Sequence, residues 1–521
     1  MEYAIGVIDI GMTNKKVAIY DETLRQVDAR YRNFPPRIVR SERGLETETH
    51  DLAAMEEWFT RELTDFARSY PIRGIAVTTH GATFVCVGKD GKPAVPCVYY
   101  THEPGDNFDE GFYRQFGNPR DLQARTGTPR FKALINTGKG ICFAKEQFPG
   151  AFKNTTHLLL YPQYWGFRLT GQTGAEGTYM GCHSYLWDQV DHTLSSVAKD
   201  LGVASLLPGK LSNSWDVLGT IRPEFAEKTG LSKDTLVTMG IHDSNSSLLP
   251  HFAKKGDSGF VLNSTGTWCV LMNPVKKYGF APDELGKVVF FNISAFGFPV
   301  KTAIFLGGQE FESWSGVLMG IHHRQDLPPY DPPLYRSILA ERKSFLLPEL
   351  TAGSGQFPNS KPRVTEEGLS YPYGDIAGGK RIPPSFNNYE RGFALLRISL
   401  VMQTLTALER TGLDSGSAPG AAAPNSDSPR PPAEVFTEGG FRKNEAYNAL
   451  LSAALRRNRV FLTDIAEASA FGAAMTAKMA LTGKALGDLA KDFTVEYQEV
   501  PKADIPEIFP YREAWLREVG R

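Results

Sequence analysis

The chain has 521 residues, 41% hydrophobic and 22% charged, which is too long for one hydrophobic core and reads as a soluble globular protein of two domains, roughly 250 residues each. A net charge of −1 gives no electrostatic support to a general nucleic-acid or membrane-surface role. Cys86, Cys97, Cys142, Cys182 and Cys269 are odd in number and lack CxxC spacing, which argues against a disulfide framework or a zinc site and for the reducing cytoplasm. The chain enters a strand almost at once, which leaves no room for a signal peptide, and no apolar run approaches the roughly 20 residues that span a bilayer.

In chain order, residues 3–9 and 16–20 read as a β-hairpin rich in Ile, Val and Tyr. Residues 52–70 carry helical periodicity through Leu52, Met55, Trp58, Phe59, Leu63 and Phe66, with Pro71 as a stop. "IRGIAVTTHGATFVCVGKDGKPAVP" alternates strand, turn and strand, with Asp90-Gly91 as a hairpin signal. Residues 130–171 read as helical, ending on Gly171 as a C-cap. A second strand–turn–strand follows at 259–272, "GFVLNSTGTWCVLMN". Residues 388–411 predict an amphipathic helix. The segment 414–434, "DSGSAPGAAAPNSDSPRPPAE", holds no large apolar residue and reads as a mobile surface insertion. "VFTEGGFRKNEAYNALLSAAL" resumes strand, glycine turn and helix, and "EASAFGAAMTAKMAL" predicts a late helix whose small residues permit close packing. Strand–helix alternation of this kind points to the α/β class.

Four segments could carry chemistry. In "AIGVIDIGMTNKKVAIYD", Gly11 lets the backbone approach a ligand, Thr13 and Asn14 add donors, and Lys16 adds charge, so the turn could hold nucleotide phosphates. Asp9, at the strand end, could hold Mg²⁺ through water. The alternative is a surface hairpin whose turn is merely polar. The second turn, Ser264-Thr265-Gly266-Thr267, offers similar donors between buried strands. Asp243, in "TMGIHDSNSSLLP", follows a strand and starts a small-residue helix, where it suits either a general base or an N-cap. His242 beside it could be a ligand, a base or a packed core residue. Gly439 and Gly440 could let a flat ring lie on the backbone, or serve only their turn's dihedral angles.

The order and spacing of "DIGMTNKK", "GIHDSNSS", "STGTW", "EGGFRKNEAYN" and "EASAFGAAM" resemble the FGGY family of carbohydrate kinases, within the actin-like ATPase superfamily. "HD", "GTW" and "G-M-T-N" resemble the L-fuculokinase and L-rhamnulokinase branch more than glycerol or xylulose kinases. The resemblance implies two actin-like (ribonuclease H-like) domains with mixed β-sheets flanked by helices, separated by a catalytic cleft. It places an N-terminal domain at 1–247 and a C-terminal domain at 248–521, with a hinge expected near 245–258; the insertion, just before the adenosine segment, either flanks the nucleotide entrance or has no role. It implies ATP and Mg²⁺ as cofactors and a small sugar, a ketose or deoxyketose, as substrate. Asp243 is then the catalytic base. Gly11, Thr13, Asn14, Lys16, Thr265, Gly266, Thr267, Gly439, Gly440 and Asn444 would bind ATP. His80, Gly81, Glu103, Gln163 and Asp243 would line the sugar pocket, and Asp9 and Asp243 would hold the metal. A homodimer is compatible with the resemblance, and the sequence does not decide it. The sequence departs from the family pattern at Met12, Phe441 and Gln163, and "YYTHEPGD" stands where W-x-D-x-R is usual, with Glu103 and Asp106 as candidate sugar contacts.

Overall fold

Two seven-stranded mixed sheets, each carrying one of the two hairpins, form the frame of the protein. The computed structural model describes residues 1–257, 259–414 and 432–520; residues 415–431 of the expected insertion lie outside them. In the first sheet the strands run Val217–Thr220, Leu236–Thr238, Ile72–Thr79, Ala4–Ile10, Asn14–Asp21 and Gln26–Asn33, and Ile241–His242 also pairs with Ile72–Thr79. Ala4–Ile10 is antiparallel to Asn14–Asp21, which sets Asp9 opposite Lys16, and parallel to Ile72–Thr79. Ile241–His242 is parallel to that same strand. Three carboxyl ends therefore share one edge, and each delivers a polar residue there: Asp9, His80 and Asp243.

The second sheet repeats the plan. Its order is Val289–Ile293, Pro299–Phe305, Cys269–Pro274, Phe260–Thr265, Glu434–Gly439, Arg459–Thr463 and Tyr497–Glu499. Phe260–Thr265 is antiparallel to Cys269–Pro274 and parallel to Glu434–Gly439, so Thr265 lies beside Gly439. Both polar turns thus stand at strand ends, where open α/β sheets leave room for ligands.

Two helices join the sheets. Asp243–Lys255 and Ala468–Thr482 pack against each other inside a core that takes Ile5, Val7 and Tyr20 from the first sheet and Phe260, Leu262 and Phe436 from the second. The late helix can approach this closely because it is built from small residues: a Cβ on Gly472 would lie 2.0 Å from the Ser246 carbonyl oxygen. Most of the expected 245–258 hinge is occupied by the helix Asp243–Lys255.

Leu52–Ser69 forms the expected helix. The continuous helix expected over 130–171 does not form. Pro149 ends the helix Thr137–Gln147 region, Thr155–Leu160 becomes a strand paired with Phe84–Gly88, and a helix resumes only at Tyr161–Thr170. The β-branched and leucine run "TTHLLL" favours that strand once a partner edge is available. Gly171 caps the last helix at φ 77° as expected. Asp90-Gly91 does turn the chain, but only an isolated bridge, Val87 to Pro93, follows it.

Tyr389–Arg410 is a helix without an exposed face, so the amphipathic expectation fails. It threads the C-terminal core, and several of its polar side chains find partners there: Arg397 donates to the Pro328 carbonyl (2.9 Å) and Gln403 to Glu310 Oε2 (2.9 Å). It is also long and apolar enough by composition to cross a bilayer, contrary to the expectation that no such run exists, yet 89% of its apolar window is buried in the fold.

Candidate active site

The second hairpin separates two cavities. On one side lies a cleft of about 540 Å³, bordered by Thr265, Gly266, Thr267, Gly308, Phe441 and Asn444 among others. On the other lies a pocket of about 240 Å³ that contains His80, Gly81, Tyr100, His183, His242 and Asp243, closed by Trp268, Val270 and Phe290. The hairpin's turn faces the larger cavity, and the start of its second strand walls the smaller one.

Backbone packing builds the larger cleft. Thr265 Oγ1 donates to the Glu438 carbonyl and accepts from the Phe441 N–H (2.9 Å), which latches the second turn to the Gly439-Gly440 loop. Gly439 has φ 77°, and a Cβ there would sit 2.1 Å from the Thr265 carbonyl oxygen, so only glycine fits. Gly308, at the start of the helix Gly307–His322, meets the same limit: its Cβ would lie 2.0 Å from the Gly266 carbonyl oxygen. Asn444 caps the helix Glu445–Ala454 by accepting from the Tyr447 N–H (3.1 Å). Phe441, where the family pattern has another residue, packs its ring against Phe311 and Tyr447 at 5.9 and 5.0 Å. The cleft residues Gly308, Phe311, Tyr330, Arg397 and Lys443 were not anticipated; the one signal for them was the Gly307-Gly308 pair after a strand.

The first hairpin supplies charge. Lys16 is buried, lies 3.9 Å from Asp9 Oδ2 and pairs with Glu467. Tyr31 donates to the other Glu467 oxygen (2.6 Å), and Ser469 donates to Asp9 (2.8 Å). Burial, and secondarily the Asp243 charge, raise the Asp9 carboxyl to about 6 against the pull of Lys16 and Ser469. Gly11, Thr13 and Asn14 sit at the tip of this turn, Thr13 and Asn14 exposed, and none of the three lines either cavity.

Asp243 opens its helix, and its Oδ1 accepts from the Ser244 N–H (2.6 Å). The N-cap is His242, so Asp243 is the first helical residue rather than the cap. Burial raises its carboxyl to about 6 as well. Around it the pocket wall is mostly apolar, and its polar groups other than Asp243 are uncharged. Burial depresses His80, His183 and His242 to about 3, so all three rings are neutral at physiological pH. His80 Nδ1 faces the Gly81 carbonyl (3.0 Å) and His183 Nδ1 faces the Ile135 carbonyl (2.9 Å), so each Nδ1 carries the proton and each Nε2 keeps an open lone pair. His80 Nε2 and Asn292 Oδ1 are buried without a protein partner. Gly81 makes room for the rings, since a Cβ there would meet His183 at 2.8 Å and His242 at 2.9 Å.

Three expected sugar contacts lie elsewhere. Glu103 is exposed, as is Asp106, and neither lines the pocket. Gln163 is fully buried in the helix Tyr161–Thr170, where it donates to the Met239 carbonyl (2.9 Å) and holds two segments of the N-terminal domain together. Tyr100, Phe131, Cys182, His183, Phe290 and Asn292 stand in the pocket instead.

Two mixed sheets, each carrying a hairpin at its strand ends, with two cavities at the second hairpin and Asp243 in the smaller, make an α/β fold of two related halves. Residues 4–250 match the model "FGGY family of carbohydrate kinases, N-terminal domain", and residues 257–372 match "Carbohydrate kinase FGGY, C-terminal domain". The chain belongs to the FGGY family of carbohydrate kinases. It is similar to a carbohydrate kinase of Novosphingobium aromaticivorans, with a TM-score of 0.78, 26% identity, and 99% of this chain and 98% of that one covered. It is 25% identical to a rhamnulokinase of Halalkalibacterium halodurans over 203 residues, 38% of this chain and 41% of the relative. To the L-fuculokinase of Escherichia coli it is 26% identical over 201 residues, 39% of this chain and 41% of the relative. The chain therefore spans about two fifths of the length of these two curated relatives.

Proposed function

We propose that the protein transfers the terminal phosphoryl group of ATP to a hydroxyl of a small sugar, with Asp243 as general base. The observation that carries this reading is the single hairpin shared by two cavities, a larger one bordered by its turn and a small one that holds Asp243 and three neutral histidines. A phosphoryl group at the hairpin would be within reach of both.

In this reading the backbone N–H groups of Gly266 and Thr267, with Lys16 from the opposite hairpin, would receive the phosphates, while Gly439, Gly440 and Asn444 would border the adenosine. Thr265 would act through its latch to Phe441 rather than by direct contact. Asp243 would take the proton as the sugar O–H bond breaks, the new O–P bond forms and the bond to ADP is released. His80 and His183 would accept hydroxyl hydrogens at Nε2, and the rings of Phe131, Trp268 and Phe290 would pack the carbon faces. The donor set also fits Mg²⁺: Asp9 and Asp243 are hard oxygen donors whose carboxyls burial raises, that of Asp9 also through the Asp243 charge, a condition a cation relieves. When bound, Mg²⁺ would neutralise phosphate charge. Domains at 1–247 and 248–521, with the boundary inside the helix Asp243–Lys255, and a cytoplasmic location belong to the same proposal.

The substrate we favour is a ketose or deoxyketose such as L-fuculose or L-rhamnulose, since relatives named for those activities align with the chain. A second reading, another pentulose, hexulose or polyol, is favoured by the pocket itself, whose hydroxyl-facing groups are neutral histidines rather than Glu103 or Asp106. A coupled ADP-release screen over ketoses, deoxyketoses, pentuloses and polyols with Mg-ATP decides between them. Sugar-dependent release is expected; binding of a sugar without release would replace the kinase reading with a sugar-sensing one.

A further inference from the structure

The sugar pocket holds a second constellation, which shares only His183 with the proposed sugar contacts. Cys182, His183 and His242 present one ligand atom each, all within 4.8 Å of one another, and Cys182 Sγ lies 3.5 Å from His242 Nε2. The other cysteines are buried elsewhere and take no part in the group. A thiol and two imidazoles are a soft ligand set, suited to Zn²⁺ and poorly suited to Mg²⁺.

The surroundings orient these ligands as a metal site requires. His183 Nδ1 is tied to the Ile135 carbonyl, which leaves Nε2 deprotonated and free for a metal, the outer-shell arrangement usual for a metal-ligating imidazole. Asn245 lies 3.4 Å from His242 Nδ1 through its amide nitrogen, and its Oδ1 is buried without a partner. Turning that amide over would let Oδ1 accept from Nδ1–H and free His242 Nε2 in the same way. Asp243 Oδ1 stands 3.4 Å from His242 Nε2, next to the open fourth position. Zinc bond lengths put tetrahedral ligand atoms about 3.3–3.6 Å apart, so the Cys182–His242 spacing already fits and His183 closes in by about 1 Å on binding.

From this geometry we propose that Cys182, His183 and His242 bind one thiophilic divalent cation, Zn²⁺, at the floor of the sugar pocket. Binding forms the metal–sulfur bond and breaks the Cys182 S–H bond, and the proton goes to solvent. Because the ion occupies the pocket beside Asp243, it excludes the sugar; this consequence rests on the kinase reading, whereas the binding itself does not.

Titration of the intact protein with Co²⁺ in place of Zn²⁺ tests the site optically. The expected result is saturation at about one equivalent, a thiolate-to-cobalt charge-transfer band, intense visible bands of four-coordinate cobalt, bleaching by Zn²⁺ and none by excess Mg²⁺. Cys182→Ser should abolish the charge-transfer band, and His183→Gln should weaken Co²⁺ binding by at least roughly tenfold, the lower bound seen for disturbing even an outer-shell partner. Wild-type protein without the band, or a Cys182→Ser protein that keeps it, overturns the proposal, and the wild-type result stands even if a variant fails to fold. Loss of the band leaves the ADP-release result untouched, and an absence of phosphoryl transfer leaves the band untouched, so the two readings fail separately.

Discussion

In the first hairpin Asp9 faces Lys16, and Lys16 reaches on to Glu467. In the second, the equivalent turn carries no charge at all: Thr265 spends its hydroxyl on the Glu438 carbonyl and the Phe441 N–H, and Gly266 and Gly308 press backbone against backbone. The same strand–turn–strand therefore does two different jobs. One turn holds buried, ion-paired charge. The other holds a fixed backbone that both shapes the larger cleft and walls the smaller pocket. Duplication of a fold does not duplicate its chemistry; the neighbours of each turn decide what it contributes.

Glycine substitutions break the comparison most sharply. Gly439→Ala must move the Thr265 carbonyl or the loop, and is expected to cost about 3 kcal/mol and most nucleotide binding. Gly11→Ala, whose Cβ meets only the Asn14 carbonyl at 3.1 Å, should cost less than about 1 kcal/mol. Urea unfolding with ATP titration separates them, and equal costs would erase the distinction between a fixed and an open turn. Lys16→Ala removes the buried cation and should weaken nucleotide binding by about 2 kcal/mol, roughly thirtyfold, with a smaller effect on sugar. Isothermal titration with both ligands checks this; an unchanged nucleotide affinity contradicts it.

The charge on the first side also predicts a pH limb. As the proposed base, Asp243 must be deprotonated, and its carboxyl is raised to about 6, so kcat/KM for the sugar should fall about tenfold per pH unit below that value. The uncharged second hairpin adds no limb of its own. The smallest effect is Thr265→Val, which strands the Phe441 N–H and should cost about 1 kcal/mol of stability by the same unfolding measurement.

The parts of this account legible in sequence were those written in contiguous residues. The Asp9–Lys16 hairpin, the helix at Leu52–Ser69 and the small-residue helix at Ala468–Thr482 follow from local pattern. The helix expected through 155–160 failed because pairing with Phe84–Gly88, seventy residues away, overrode local preference. The small pocket was mostly hidden for a related reason. His80, Tyr100, Phe131, His183 and Phe290 come from loops and strands scattered across both domains, and no spacing rule joins them. Glu103 attracted notice as a carboxylate in a polar loop, but that loop turns it to solvent. Gln163 attracted notice by its place in a motif, and its amide serves the backbone of Met239.

The central claim is that Asp243 moves the proton, and Asp243→Asn tests it most directly in single-turnover kinetics paired with ATP titration. Asn keeps the size and the helix start but cannot accept the proton. Turnover at least roughly 10²-fold lower, with ATP affinity within about twofold of wild type and the low-pH limb gone, is the predicted result. Turnover near the wild-type rate would contradict it.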